Sequence, residues 1–290
     1  MVVAVRGAPG ITGLGEAAPL PGFSKDSLDD AHAAVTELGL RLPLDLTTPD
    51  SASAIAARIT TAPAARFAIE TALLAAYGQC MRTSIAQLLS PLPQAELLCA
   101  VVVDDADEAE EAILRGARCL KIKVGHDPSS DIDRVHAIAA RTKGTQLRLD
   151  ANRGWPAEDV EQILVEMRGL PIEYVEEPCR DAHLLLAGEL PYRIALDESI
   201  ATLDPARLAQ AIASPRLAAL VLKPTLLGGF ARCLELAGLA HQHGVAPIVS
   251  HTLEGPVGTA ACHELARAIG ADVPVGLAPH PALDRFAEAR

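Results

Sequence analysis

The sequence predicts an α/β protein: a (β/α)7β TIM-like barrel preceded by an α+β N-terminal capping domain. Two observations carry this. Five charged residues each close a short apolar run, Lys123 in CLKIKVG, Asp150 in LRLDAN, Glu176 in YVEEP, Asp197 in ALDES and Lys223 in LVLKP, at intervals of 27, 26, 21 and 26 residues. Each interval is the length of one strand plus one crossover helix, and the carboxyl ends of successive strands are where a parallel barrel carries its active site. In addition, apolar runs at 97–104, 119–124, 146–151, 172–177, 193–198, 218–223 and 246–250 alternate with segments of helical period. Such continuous runs are strands buried on both faces.

The helical segments include DADEAEEAILRG, DIDRVHAIAART, PAEDVEQILVEMRG, DPARLAQAIAS and GGFARCLELAGLAHQHG, with a further helix at 256–270. Asp204 before Pro205 reads as an N-cap followed by proline at the first helical position. Seven strands with six intervening helices suit a closed barrel, and VPVGLAP at 273–279 is an eighth, degenerate strand. Residues 1–95 lie outside this repeat. Two strand-like pieces, VVAVRG and ITGLGEAAP, lead through a turn-rich stretch at Pro19, Pro21 and Gly22 into helices near 27–39, 50–60, 62–78 and 83–90. The expected division is a capping domain over 1–95, with the C-terminal tail 276–290 as a further contributor, and a barrel over 96–275. The loop at 19–24 is placed to cover the barrel mouth.

With 290 residues the chain buries a sizeable core, and 50% hydrophobic but only 3% aromatic residues mean that Ala, Leu, Val and Ile build it. A formal net charge of −12 without a basic run argues against a nucleic-acid or anionic-membrane surface, and for a small-molecule substrate. MVVAVRGAPG lacks the features of a signal peptide, and no apolar stretch reaches membrane-spanning length, so the expectation is a soluble, cytoplasmic protein. Six scattered cysteines without a C-x-x-C pair read as reduced, buried small hydrophobes. No G-x-G-x-x-G follows a strand and no G-x-S-x-G elbow occurs, which counts against dinucleotide and acyl-enzyme chemistry.

Strand alternation sends Lys121 and Lys123 to one side and Ile122 and Val124 to the other. Either the lysines share the barrel lumen, where like charge and partial burial lower a lysine pKa and make one a base, or they lie on the surface of an edge strand. Asp150, Glu176 and Asp197 end three consecutive strands, so their carboxylates converge at one rim. A divalent cation relieves the resulting repulsion, and an all-oxygen ligand set suits Mg²⁺ or Mn²⁺ rather than zinc. The alternative is ion pairing with Arg148, Arg153 or Arg193. Lys223 closes the sixth strand, across the ring from Lys123. His251 reads either as a substrate-carboxylate contact or as a loop histidine bonded to backbone. Trp155 reads as a packing anchor rather than a stacking platform, and the acidic run at 104–111 as a solvated face.

With GLGEAAPLPGFSKDSL at 13–28, KIKVG at 121–125, LRLDANRGW at 147–155, VEEPC at 175–179, LDES at 196–199 and LKPTLLGG at 222–229, the chain resembles the enolase superfamily and, within it, the o-succinylbenzoate synthases. The resemblance implies a carbon-oxygen lyase of menaquinone biosynthesis that dehydrates 2-succinyl-6-hydroxy-2,4-cyclohexadiene-1-carboxylate. It implies that Asp150, Glu176 and Asp197 bind Mg²⁺ and that Lys123 removes the α-proton and then protonates the departing hydroxide. Lys223 would stabilise the ene-diolate. Lys121, Asn152 and Glu198 would support the site, and Phe23 and Ser24 of the 19–24 loop would face the substrate. Ser250 and Glu254 fall in the segment that follows the seventh strand in these synthases, at substrate-binding or supporting positions. Fewer residues precede Glu16 than in similar synthases, so the expectation is that either the first cap strands are shortened or the start is truncated. An N-acylamino acid racemase or dipeptide epimerase of the same superfamily would need the same metal and both lysines, and a non-catalytic barrel is the remaining alternative.

Overall fold

The structure, a computed structural model, describes residues 1–270 and 272–279; the expected contribution of the tail 276–290 lies, beyond Pro279, outside the described residues. The amino-terminal elements are β1 (Val2–Arg6), β2 (Thr12–Glu16), α1 (Leu28–Leu40), α2 (Pro49–Ile59), α3 (Pro63–Met81) and α4 (Ile85–Leu89). Then come β3 (Val101–Val103), α5 (Ala106–Leu114), β4 (Cys119–Lys123), α6 (Pro128–Arg141), β5 (Gln146–Asp150), α7 (Val160–Glu166) and β6 (Ile172–Glu176). The remainder is β7 (Arg193–Leu196), α8 (Glu198–Thr202), α9 (Pro205–Ile212), β8 (Leu217–Leu222), α10 (Pro224–Leu227), α11 (Phe230–Gln242), β9 (Ala246–Val249) and α12 (Pro256–Ile269).

β3 to β9 form one seven-stranded sheet in sequence order, with parallel registers from β3 through β8, so the expected α/β class and strand order are those observed. Where the eighth strand is expected, the described residues carry isolated bridge positions at Val275 and Gly276, the latter in a parallel bridge with Ser250. One crossover differs from expectation. Between β6 and β7 the chain makes a 3₁₀ segment, Ala182–Ala187, instead of an α-helix. Only sixteen residues separate Glu176 from Arg193, and Pro178, Gly188 and Pro191 among them leave no room for three helical turns.

Two compact units divide the described residues: residues 1–97, 222–238, 248–270 and 272–279 in the first, and residues 98–221 and 239–247 in the second. In the first, α3 is buried on nearly every side, as its sequence AARFAIETALLAAYG requires. β2 lies so close to α3 that a Cβ on Gly15 would stand 1.8 Å from the carbonyl oxygen of Ala68, which is why glycine occupies that strand position. In the second unit, helix starts are set by local acids: Asp105 caps α5, Asp127 caps α6, and Asp204 accepts from the N–H groups of Ala206 and Arg207 ahead of Pro205. Trp155 is buried and donates to Asp131 Oδ2 at 3.0 Å, a packing anchor as expected. The acids of 104–111 are exposed. Among the described residues no cysteine forms a disulfide; Cys80, near the C-terminal end of α3, is exposed, and Cys99, ahead of β3, is half-buried. No helix among the described residues is long and apolar enough to cross a membrane.

Candidate active site

Lys121 and Lys123 lie on the same side of β4, where register aligns Lys121 with Arg148 and Lys123 with Asp150, and Asp150 in turn with Glu176. A lower layer of Lys121, Arg148 and Tyr174 therefore supports an upper layer of Lys123, Asp150 and Glu176. Arg148 sits 5.0 Å over the Tyr174 ring and pairs with Glu173 at 2.6 Å. Glu173 is the extra residue where the β5–β6 register shifts. Asp197 stands one inward step beyond Ala195, the residue level with Glu176, and so lies further along the strand direction by about 7 Å.

Lys121 Nζ is 2.9 Å from Asp150 Oδ2 and 2.8 Å from Glu176 Oε2. Burial acts to lower the pKa of this ammonium, but the Glu176 and Asp150 carboxylates outweigh it and hold Lys121 well above the ordinary lysine value. The expectation that crowding depresses a lysine pKa is thus corrected for Lys121: adjacent opposite charges outweigh its like-charged neighbour. Lys123 Nζ stands 3.6 Å from Asp150 Oδ2 and 3.1 Å from Asn152 Oδ1, and its side chain remains 48% exposed. Asn152 Nδ2 in turn reaches Glu198 Oε1 at 3.4 Å. Of the arginines offered as alternative partners, Arg148 pairs with Glu173, Arg153 pairs with Glu177, and Arg193 donates to the carbonyl of Leu217.

Asp150, Glu176 and Asp197 are all buried at the ends of three adjacent strands, an oxygen-only donor set that fits a hard divalent cation. As placed, the Lys121 ammonium takes the position between the first two. Among the described residues no group of three His, Cys, Asp or Glu side chains is gathered closely enough to hold a metal ion.

Lys223, Phe23, Ser24, Ser250 and Glu254 belong to the first unit. Lys223 caps α10 with extended backbone. Phe23 is 53% exposed, while Ser24 Oγ accepts the N–H of Leu20 at 2.8 Å and pins the 19–24 turn. Ser250 donates to the carbonyl of Gly276 at 3.0 Å. Glu254 is fully buried and accepts from Thr225 Oγ1, Thr252 N and Thr252 Oγ1, so it ties the residue after Pro224 to the 250–255 turn. His251 Nδ1 accepts the N–H of Leu253 at 3.2 Å, a bond to loop backbone.

Three buried glutamates escaped sequence reasoning. Glu16 accepts from the N–H groups of Gly255 and Gly258, both at 2.8 Å, and Glu70 from those of Phe230 and Ala231, so within the first unit these two carboxylates satisfy N–H groups at the N-termini of α12 and α11. Glu177 lies behind the strand ends of the second unit. The available signal was a second acid in Glu-Glu-Pro, whose burial requires donors from elsewhere.

The chain belongs to the enolase C-terminal domain-like family, whose model matches residues 104–286. Within that class it is similar to o-succinylbenzoate synthases: the one from Haemophilus influenzae is 32% identical over 276 residues, covering 91% of this chain and 78% of the relative. Among solved structures, the dipeptide epimerase from Methylococcus capsulatus, complexed with Mg and the dipeptide L-Arg-D-Lys, matches with a TM-score of 0.82 and 27% identity over 96% of this chain and 82% of its own. MenC from Desulfotalea psychrophila shares the fold at a TM-score of 0.79 and 22% identity, covering 97% of this chain and 88% of that one.

Proposed function

We propose that the protein is a Mg²⁺-dependent dehydratase that converts 2-succinyl-6-hydroxy-2,4-cyclohexadiene-1-carboxylate to o-succinylbenzoate and water, a step of menaquinone biosynthesis. The observation that carries this reading is a half-exposed lysine, Lys123, at a rim of buried carboxylates, 3.6 Å from Asp150, in a chain about 30% identical to o-succinylbenzoate synthases. In this reading Asp150, Glu176 and Asp197 hold Mg²⁺. When bound, the cation supplies charge stabilisation where the substrate carboxylate becomes an ene-diolate.

Neutral Lys123 takes the proton α to that carboxylate and, as its conjugate acid, hands it to the departing hydroxide, so one group closes the proton balance. Lys223 contributes fixed positive charge. Lys121 stays cationic and orients Asp150 and Glu176, while Asn152 and Glu198 steady the Lys123 amine. Phe23 and Ser24 face the succinyl arm, and Ser250 and Glu254 hold the turn that borders it.

The fold likeness to a dipeptide epimerase supports a second reading, α-carbon epimerisation or racemisation of an N-acylamino acid, with one lysine on each face. Purified protein with Mg²⁺ should remove the cyclohexadiene absorbance of the dehydration substrate. Racemisation of N-succinylamino acids or dipeptides without any dehydration would reverse the assignment.

A further inference from the structure

Glu177 follows Glu176 directly, is fully buried, and uses both carboxylate oxygens twice. Oε1 accepts the backbone N–H groups of Asp197 at 2.9 Å and Ser199 at 2.8 Å. Oε2 accepts Ser199 Oγ at 2.9 Å and Arg153 Nε at 3.0 Å. Arg153 Nη2 closes the ring by donating to Ser199 Oγ at 3.1 Å. The backbone joins in: Glu177 N–H donates to the carbonyl of Ala195 at 3.1 Å, and its own carbonyl accepts from Arg153 N–H at 2.7 Å.

Each member of this brace is within three residues of one of the rim acids. Arg153 lies three residues after Asp150, Glu177 next to Glu176, and Ser199 two after Asp197, whose own N–H is among the donors. Three non-glycine residues here, Asn152, Arg153 and Glu177, have φ of 43°, 64° and 41°. Left-handed backbone persists at such residues only where surrounding bonds over-determine it.

We infer that Glu177, with Arg153 and Ser199, is a positioning residue that fixes the relative placement of Asp150, Glu176 and Asp197. It does so by locking together the backbone segments that carry them. The inference rests on the proposed metal reading of these three acids. It commits to a function for a buried carboxylate that the reaction itself does not use: groups behind the ligands orient them, and their loss typically weakens metal binding about 10–100-fold.

The test titrates the whole protein with Mn²⁺ as probe, reading free metal by electron paramagnetic resonance, with circular dichroism to verify folding. Glu177→Gln places an amide donor among donors, and Arg153→Met removes one arm of the brace at a less buried position. Both should raise the Mn²⁺ Kd about tenfold or more. Should Glu177→Gln not fold, Arg153→Met decides alone. Tyr192→Phe removes hydrogen bonds at the far end of β7; it should lower Tm while leaving the Kd within about twofold of the parent, which separates positioning from general destabilisation. A folded Arg153→Met protein with the parent's Kd overturns the inference and leaves the metal reading standing. A parent chain that binds no Mn²⁺ overturns the metal reading, and the inference with it.

Discussion

The ammonium of Lys121 straddles the carboxylate of Glu176, 3.0 Å from one oxygen and 2.8 Å from the other. A cation therefore already compensates the buried acid, which explains how Glu176 tolerates complete burial at the end of β6.

In the proposed reaction Asp150→Asn, Glu176→Gln and Asp197→Asn each remove a charged oxygen donor. Each should weaken Mg²⁺ binding and lower kcat by about 10²-fold or more. Calorimetric titration with Mg²⁺ and steady-state assay measure the two effects, and exhaustive chelation should abolish turnover reversibly. Full activity after chelation would rule the metal out.

The two lysines separate by proton chemistry. Lys123→Ala should stop both dehydration and exchange of the substrate α-proton with solvent deuterium. Lys123→Arg should fail almost as completely, because a guanidinium does not give up its proton near neutral pH. Lys223→Arg keeps positive charge and should retain measurable turnover. Deuterium incorporation by Lys123→Ala, read by NMR, would assign a second base to Lys223 and favour racemase chemistry.

The 19–24 turn predicts a binding effect. Ser24→Ala removes the acceptor that holds Leu20 N–H, and Phe23→Ala removes an exposed apolar group, so both should raise KM several-fold more than they lower kcat. Unchanged KM in both variants would remove this turn from substrate recognition.

Glu70 gives a signed pH dependence. Burial is the largest influence on its carboxyl and raises the pKa above 4.5, against the lowering effects of Ser53, Ala231, Phe230 and Arg66. The folded state therefore binds this proton more readily than the unfolded chain. Its contribution to stability is greatest at pH below the unfolded value of 4.5 and is lost as pH rises through the raised folded pKa. Urea unfolding of parent and Glu70→Gln across pH 4–8 should show a stability difference that varies with pH in that window; a constant difference would contradict the shift.

The strand positions, the Asp204 helix start and the rim charges are local properties, and the sequence by itself determined them. Apolar runs ending in one charge mark strands buried on two faces, Asp204 with Pro205 marks a helix start within a few residues, and Lys121 and Lys123 share a side through the two-residue strand period. Tertiary structure alone decided how the acids are held and at what height they stand. Register sets Asp197 one inward step beyond Glu176, and no pattern within a strand encodes register with its neighbour. The buried glutamates take donors 20 residues away for Glu177, 160 for Glu70 and 239 for Glu16. A buried carboxylate needs donors, but linear order does not say which distant backbone the fold will bring to it.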